Sequence, residues 1–122
     1  MKILFADDDK VIQKMLVYNL VKYDHEVTTV ENGKEAIDAI KEENYDLIIL
    51  DILMPKLSGL EVLEFIRDEI SKEIPVIMMS RDHHYQTIKK AKIEGANEYI
   101  TKPFTPEELY LKIKKLTGHT AG

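Results

Sequence analysis

Four apolar runs in this sequence end on residues able to bind cations or handle anions. Ile3-Leu4-Phe5-Ala6 runs into Asp7-Asp8-Asp9, Leu47-Ile48-Ile49-Leu50 into Asp51, Val76-Ile77-Met78-Met79 into Ser80, and Tyr99-Ile100 into Thr101-Lys102. Two carboxylates about 5 Å apart repel by roughly 3 kcal/mol at an effective dielectric near 20, so several acids gathered at one rim call for a cation. Oxygen donors of this kind suit Mg²⁺, and Lys102 supplies a second counter-charge. Taken singly, each residue has a plainer use. An aspartate after a strand often caps the next helix, worth about 0.3–1 kcal/mol through the helix dipole, Ser80 can do the same, and a lone lysine is usually a solvated surface group. Capping alone does not require acids, a hydroxyl and a lysine to converge on one edge.

Convergence requires a scaffold, and the hydrophobic pattern supplies one. Apolar runs alternate five times with amphipathic stretches, and no Pro/Gly/Ser-rich linker intervenes, which is the pattern of βα units in a parallel sheet. Strands are expected at Lys2 to Ala6, Glu26 to Val30, Leu47 to Leu50, Val76 to Met79 and Glu98 to Thr101. The first, third and fourth are continuously apolar, as strands covered on both faces must be, whereas the second and fifth carry polar residues and belong at the edges. With right-handed crossovers the expected order is 2-1-3-4-5, giving a flavodoxin-like (βα)5 three-layer α/β sandwich. In such a sheet a ligand site lies beyond the carboxyl ends of the strands where the order reverses, here between strands one and three.

Local signals agree with this plan. Ser58 with Glu61 makes a capping-box pattern, Thr105-Pro106 with Glu108 opens the last helix, and Gly95 is placed to close the fourth in a left-handed conformation. The 122 residues carry a net charge of −5 and no cysteine, which excludes disulfides and thiol chemistry and argues against direct nucleic-acid binding by this domain. Neither a signal peptide nor a membrane span is read, so the cytoplasm is the expected compartment. Residues 1–117 read as one domain, and the stretch from Thr117 to Gly122, with no apolar payload, as a frayed tail. The lysines Lys89, Lys90 and Lys92, and Lys112, Lys114 and Lys115, read as solvated helix faces.

The strings Phe5-Ala6-Asp7-Asp8-Asp9, Leu50-Asp51-Ile52-Leu53-Met54-Pro55 with Ser58-Gly59, Met79-Ser80 and Thr101-Lys102-Pro103-Phe104 resemble the four signature segments of response regulator receiver domains of two-component signalling, over nearly the whole chain. The resemblance implies a signalling switch and not a metabolic enzyme, one that catalyses only its own Mg²⁺-dependent phosphorylation and dephosphorylation. By it, Asp51 is the phosphoacceptor, Asp7 and Asp8 with Asp51 hold Mg²⁺, and the backbone carbonyl of Leu53 joins them. Lys102 pairs with the phosphate, Ser80 hydrogen-bonds it, and Tyr99 is the aromatic switch residue that turns inward on activation. It also implies a cis Lys102-Pro103 bond, and a sensor histidine kinase or phosphotransfer protein as phosphodonor.

The run Gly95 to Phe104 is most similar to receivers of the winged-helix transcription-factor subfamily, which pair through helix four, strand five and helix five. A homodimer through that face, using Glu98 and Lys112, is therefore expected, although Asn97 stands where an acid is usual. Arg81 replaces a small residue, and a side chain of that length would crowd the phosphate or restrict access to it. Asp9 stands where glutamate is commoner, and Leu53 and Asp82 occupy positions that tune hydrolysis of the acyl phosphate. His83-His84 is not a metal pair, because adjacent side chains on a helix diverge by about 100°; both read as solvated residues of helix four. Asp7-Asp8-Asp9-Lys10-Val11 also fits the Asp-x-Asp-x-Thr/Val pattern of haloacid-dehalogenase-type phosphohydrolases, with Asp7 as nucleophile, but a chain this short leaves no room for a cap domain. A receiver-like adaptor that is never phosphorylated is the third reading.

Overall fold

The computed structural model describes residues 1–118. Five parallel strands, β1 (Lys2–Ala6), β2 (Glu26–Val30), β3 (Leu47–Asp51), β4 (Val76–Ser80) and β5 (Glu98–Thr101), lie in the order β2-β1-β3-β4-β5. Five helices alternate with them: α1 (Lys10–Val21), α2 (Gly33–Glu42), α3 (Gly59–Phe65), α4 (Tyr85–Ile93) and α5 (Pro106–Thr117). This is the expected flavodoxin-like sandwich.

Strand alternation divides the core into two layers. Leu4, Ala6, Ile48, Leu50, Val76, Met78 and Tyr99 point to one side, where Ala36 and Ile40 of α2, Val62 and Leu63 of α3, and Ala91 of α4 cover them. Ile3, Phe5, Leu47, Ile49, Ile77, Met79 and Ile100 point to the other, against Leu16 and Leu20 of α1 and Leu109 and Ile113 of α5. Because both faces are covered, every residue of β3 and β4 is buried, while β2 keeps exposed and half-buried positions and β5 half-buried ends. Each fully buried Leu or Ile contributes about 1.5–3 kcal/mol, so the continuous runs dominate the stability of the sheet.

Several local expectations hold. Ser58 and Glu61 form a reciprocal capping box, and the Thr105 side chain accepts from the Glu108 N–H behind Pro106. Gly95 follows α4 at φ 110°, with its N–H donating to the Lys92 carbonyl. A Cβ there would press on the Arg67 side chain, so glycine serves both the conformation and the packing.

Other expectations need correction. β3 and β4 run one residue further than the apolar runs, so Asp51 and Ser80 are the last residues of their strands: ladder pairing with Met79 and Thr101 carries the backbone on after the apolar pattern stops. His83 and His84 precede α4 instead of lying in it, because the Asp82 carboxylate accepts from the His84 N–H and holds the loop in a turn, leaving His84 as the N-cap. Thr117 is not frayed. It closes α5, its hydroxyl donating to the Ile113 carbonyl, and Gly118 caps the helix at φ 70°. The rest of the expected tail, 119–122, lies outside the described residues. A π-helical turn, Ile66–Ile70, which no local signal announced, continues α3. No helix among the described residues is long and apolar enough to cross a membrane.

Candidate functional site

Register brings the site together. Ala6 pairs with Leu50, so Asp7, one residue on, falls level with Asp51, and Ser80 pairs with Thr101, setting Lys102 one step beyond. Asp7 is fully buried, Asp51 and Ser80 nearly so, and Asp8 stands exposed at the mouth. Lys102 reaches across from the end of β5, and its Nζ donates to Asp7 Oδ2 at 2.7 Å and to Asp51 Oδ2 at 2.9 Å. The Lys102-Pro103 bond is cis, as the resemblance implied.

Backbone amides complete the acidic shell. Asp7 Oδ1 accepts from the Asp9 N–H at 2.9 Å, and Asp51 Oδ1 from the Leu53 N–H at 3.2 Å. Asp9 is turned toward α1, accepting from the Val11 and Ile12 N–H groups, so of the three consecutive acids this one does serve as a helix cap. Gly59 backs Asp51 so closely that any Cβ would collide with the Asp51 carbonyl, and its N–H donates to Ile52 O at 2.9 Å. Gln13, buried on the inward stripe of α1 with Leu16 and Leu20, donates through its side-chain amide to the Asp7 carbonyl. Sequence reading passed over Gln13. A polar residue on the apolar stripe of an amphipathic helix was the available signal.

One ammonium thus serves two buried carboxylates. Burial pushes the Asp51 carboxyl above its ordinary value; hydrogen bonding and charge from Lys102 oppose this, and Asp7 adds to it. For Lys102, burial works to lower the pKa, but its hydrogen bonds to Asp7 and Asp51 outweigh that and the net shift is upward. One carboxylate oxygen each from Asp7, Asp8 and Asp51 lie within 4.8 Å of one another. This excess of oxygen anions over cations, partly exposed through Asp8, fits a hard divalent ion. The cleft has a volume of about 400 Å³ and is lined by Asp7, Asp8, Asp9, Asp51, Leu53, Arg81 and Lys102. Leu53 sits exposed at its rim.

Ser80 and Tyr99 meet on the loop after β4. Ser80 Oγ accepts from the Asp82 N–H at 3.1 Å, and the Tyr99 hydroxyl, buried between strand and loop, donates to the Asp82 carbonyl. Burial raises the Tyr99 hydroxyl pKa. Asp82 binds the His84 N–H and the Thr87 hydroxyl, and these hydrogen bonds, the backbone one foremost, bring its carboxyl down to about 2. Asn97, where an acid was expected for pairing, is exposed but engaged within its own chain: its Oδ1 accepts from the Val76 N–H and from Arg67, whose guanidinium also clasps the Gly95 carbonyl. Glu98 does meet Lys112, at 3.1 Å, but within the same chain, and Lys115 joins at 3.5 Å.

Comparison with known proteins accords with this geometry. The family model of the response regulator receiver domain matches residues 3–114. The transcriptional regulatory protein ResD of Bacillus subtilis is 38% identical over 94% of this chain and 47% of its own length. The chain spans about half the length of the curated relatives it matches. The receiver domain of a Francisella response regulator superposes with a TM-score of 0.89 at 33% identity, covering 96% of both chains. The response regulator TrrA of Thermotoga maritima, solved in complex with Mg(2+)-BeF, gives a TM-score of 0.84 at 40% identity, over 94% of this chain and 97% of that one. A matching family model over nearly the full length, relatives above 30% identity and the same sheet order place this chain in the receiver-domain family of two-component response regulators.

Proposed function

We propose that the domain is a phosphoaspartate switch in which Asp51 accepts a phosphoryl group from a histidine kinase or phosphotransfer protein. The observation that carries this reading is the sharing of Lys102 between Asp7 and Asp51, which leaves a surplus of carboxylate at a partly open cleft. Asp7, Asp8, Asp51 and the Leu53 carbonyl would hold Mg²⁺, as the Mg(2+)-BeF complex of TrrA suggests by likeness. When bound, the ion offsets carboxylate repulsion and the charge of the phosphoryl oxygens.

In the transfer, an Asp51 carboxylate oxygen forms the bond to phosphorus as the donor's bond to phosphorus breaks, and the leaving group departs with the electron pair. Positioning and charge neutralisation supply most of such catalysis, so no separate general base is required, and the domain acts on no substrate beyond its own aspartate. Lys102 turns from the Asp51 carboxylate to the phosphoryl oxygens. Ser80 can donate its hydroxyl to those oxygens while its Oγ still accepts from the Asp82 N–H, so drawing Ser80 toward the phosphoryl group pulls on the Asp82 backbone. Tyr99 holds the carbonyl of that same residue, so movement of the loop reaches β5 and with it the α4–β5–α5 face.

That face is proposed to control an effector, through a homodimer of the winged-helix transcription-factor kind. The relatives are transcriptional regulatory proteins about twice as long as this chain, which fits that role and a cytoplasmic setting. Pairing would require Glu98 to exchange its intrachain lysines for a partner's.

Incubation with Mg²⁺ and acetyl phosphate, followed by borohydride trapping and mass spectrometry, tests the assignment. Label is expected on Asp51 and none in Asp51→Asn. Label on Asp7, or turnover of phosphomonoesters, would favour the hydrolase reading, and an unlabelled protein that binds Mg²⁺ the adaptor reading.

A further inference from the structure

Arg81 directly follows the buried Ser80 at the end of β4, yet its own side chain is exposed on the wall of the cleft. It also borders the neighbouring recess formed by Ile12, Met15, Pro103 and Phe104. Four carboxylates line the same cleft, and Lys102 is bound to two of them. Arg81 forms no ion pair with any acid among the described residues; the ion pairs there are those of Lys2, Lys10, His84, Lys102, Lys112 and Lys115. A guanidinium stays charged at any physiological pH, and its planar fork matches phosphate oxygens. With a divalent cation and Lys102 in place, the four acids still leave one negative charge uncompensated, and Arg81 is the group lining the cleft that cancels it.

We propose that Arg81 is a donor-selecting residue: its guanidinium meets the non-bridging oxygens of the incoming phosphoryl group, so that it speeds phosphorylation by doubly charged donors instead of obstructing it. The inference rests on Asp51 as the acceptor. The side chain has two properties with opposite consequences. Its length narrows the mouth, which slows every donor, and its charge attracts donors in proportion to their negative charge. Charge decides here, because an exposed and unpaired side chain can swing away from a crowding ligand, whereas its field acts on a donor before contact and is felt over a Debye length of about 10 Å at 0.1 M salt.

Two small donors separate the properties. Acetyl phosphate is a dianion at neutral pH and releases acetate when Asp51 attacks; phosphoramidate is largely a monoanion, protonated on nitrogen, and releases ammonia. The second-order rate of Asp51 labelling with each, in Mg²⁺, is measured by phosphate-affinity electrophoresis for the wild type and for Arg81→Lys, Arg81→Met and Arg81→Ala. With acetyl phosphate at low salt, the Met and Ala variants are expected to react about tenfold more slowly, the size of one unit charge acting on a dianion a few ångström away in water. The Lys variant should stay within about threefold of the wild type, since it keeps the charge and loses the fork. Phosphoramidate should show a smaller loss, and raising the salt should shrink both.

Equal rates in all four proteins, or a faster Ala variant beside an unchanged Met variant, would overturn the proposal. Equal losses for both donors that are insensitive to salt would overturn it too. Failure of the acceptor reading looks different: the wild type would carry no label on Asp51, or Asp51→Asn would still be labelled.

Discussion

The cleft and the α5 face each contain a lysine–carboxylate cluster, with opposite charge balance. In the cleft two acids, Asp7 and Asp51, divide one lysine, and the Asp51 pKa is raised. On the α5 face one acid, Glu98, has two lysines, Lys112 and Lys115; burial pushes its pKa up, but the lysines outweigh burial and the net shift is downward. The same residue types are therefore settled at one place and frustrated at the other. A surplus of buried carboxylate costs stability in the free protein, and a bound divalent cation would relieve it. That stored cost marks a functional site more clearly than the presence of charges does.

Removing each cluster's central charge tests this contrast most strongly. Lys102→Met should leave Asp7 and Asp51 buried side by side without a counter-charge and cost about 3 kcal/mol in urea unfolding without Mg²⁺, with partial recovery when Mg²⁺ is added. A cost under about 1 kcal/mol, the range of exposed pairs, would erase the distinction between the two clusters.

Asp51→Asn should act in the opposite direction. It removes one of two repelling carboxylates, and an increase of about 1 kcal/mol in stability without Mg²⁺ is expected at neutral pH. A carboxyl whose folded pKa lies above its unfolded value binds protons more readily in the fold, so its charge costs stability above that folded pKa. The cost fades as pH falls through it. The advantage of the Asn variant should accordingly shrink as pH is lowered from 7 toward the ordinary carboxyl range, and Mg²⁺ should stabilise the wild type more than the variant. Asn less stable than Asp at pH 7 would mean that the cleft is not frustrated.

Glu98→Gln should have the smallest effect, about 0.5 kcal/mol by thermal unfolding, because the pair is partly screened by water. Its pKa is lowered, so the stability it contributes is present above its unfolded pKa and is lost as pH falls through the folded one. If pairing of two chains uses this face, the same substitution should weaken dimerisation after treatment with beryllofluoride, read by light scattering, while the phosphoramidate rate stays unchanged.

Much of the scaffold was legible because the strands are short apolar runs bounded by polar residues, and burial on both faces demands such runs. The ends were less legible. Asp51 and Ser80 belong to the strands because ladder bonds continue past the last apolar residue, a fact of pairing that side-chain character does not carry. The β4–α4 loop misled in the same way: His83-His84 continues the helical stretch by composition, but the Asp82 carboxylate competes for the first free amides and delays the helix to Tyr85. The role of Gln13 and the intrachain bonds of Asn97 went unread for a shared reason. Each binds backbone groups outside its own element, Gln13 the carbonyls of Asp7 and Val30 and Asn97 the N–H of Val76, so the pattern within the element does not report the contact.

Sequence alone determined which residues are available for the chemistry and the fold that carries them, because hydrophobic period, turn signals and strand-end acids are local properties. Only the tertiary structure decided how the charges are shared. Lys102 stands 95 residues from Asp7 and 51 from Asp51, and it serves both only because the register of β1, β3 and β5 ends the three strands at one edge. The intrachain bonds of Asn97, the closing of Glu98 on its own lysines and the unpaired charge of Arg81 at the cleft wall likewise depend on distances set by packing across the sheet, which spacing along the chain does not encode.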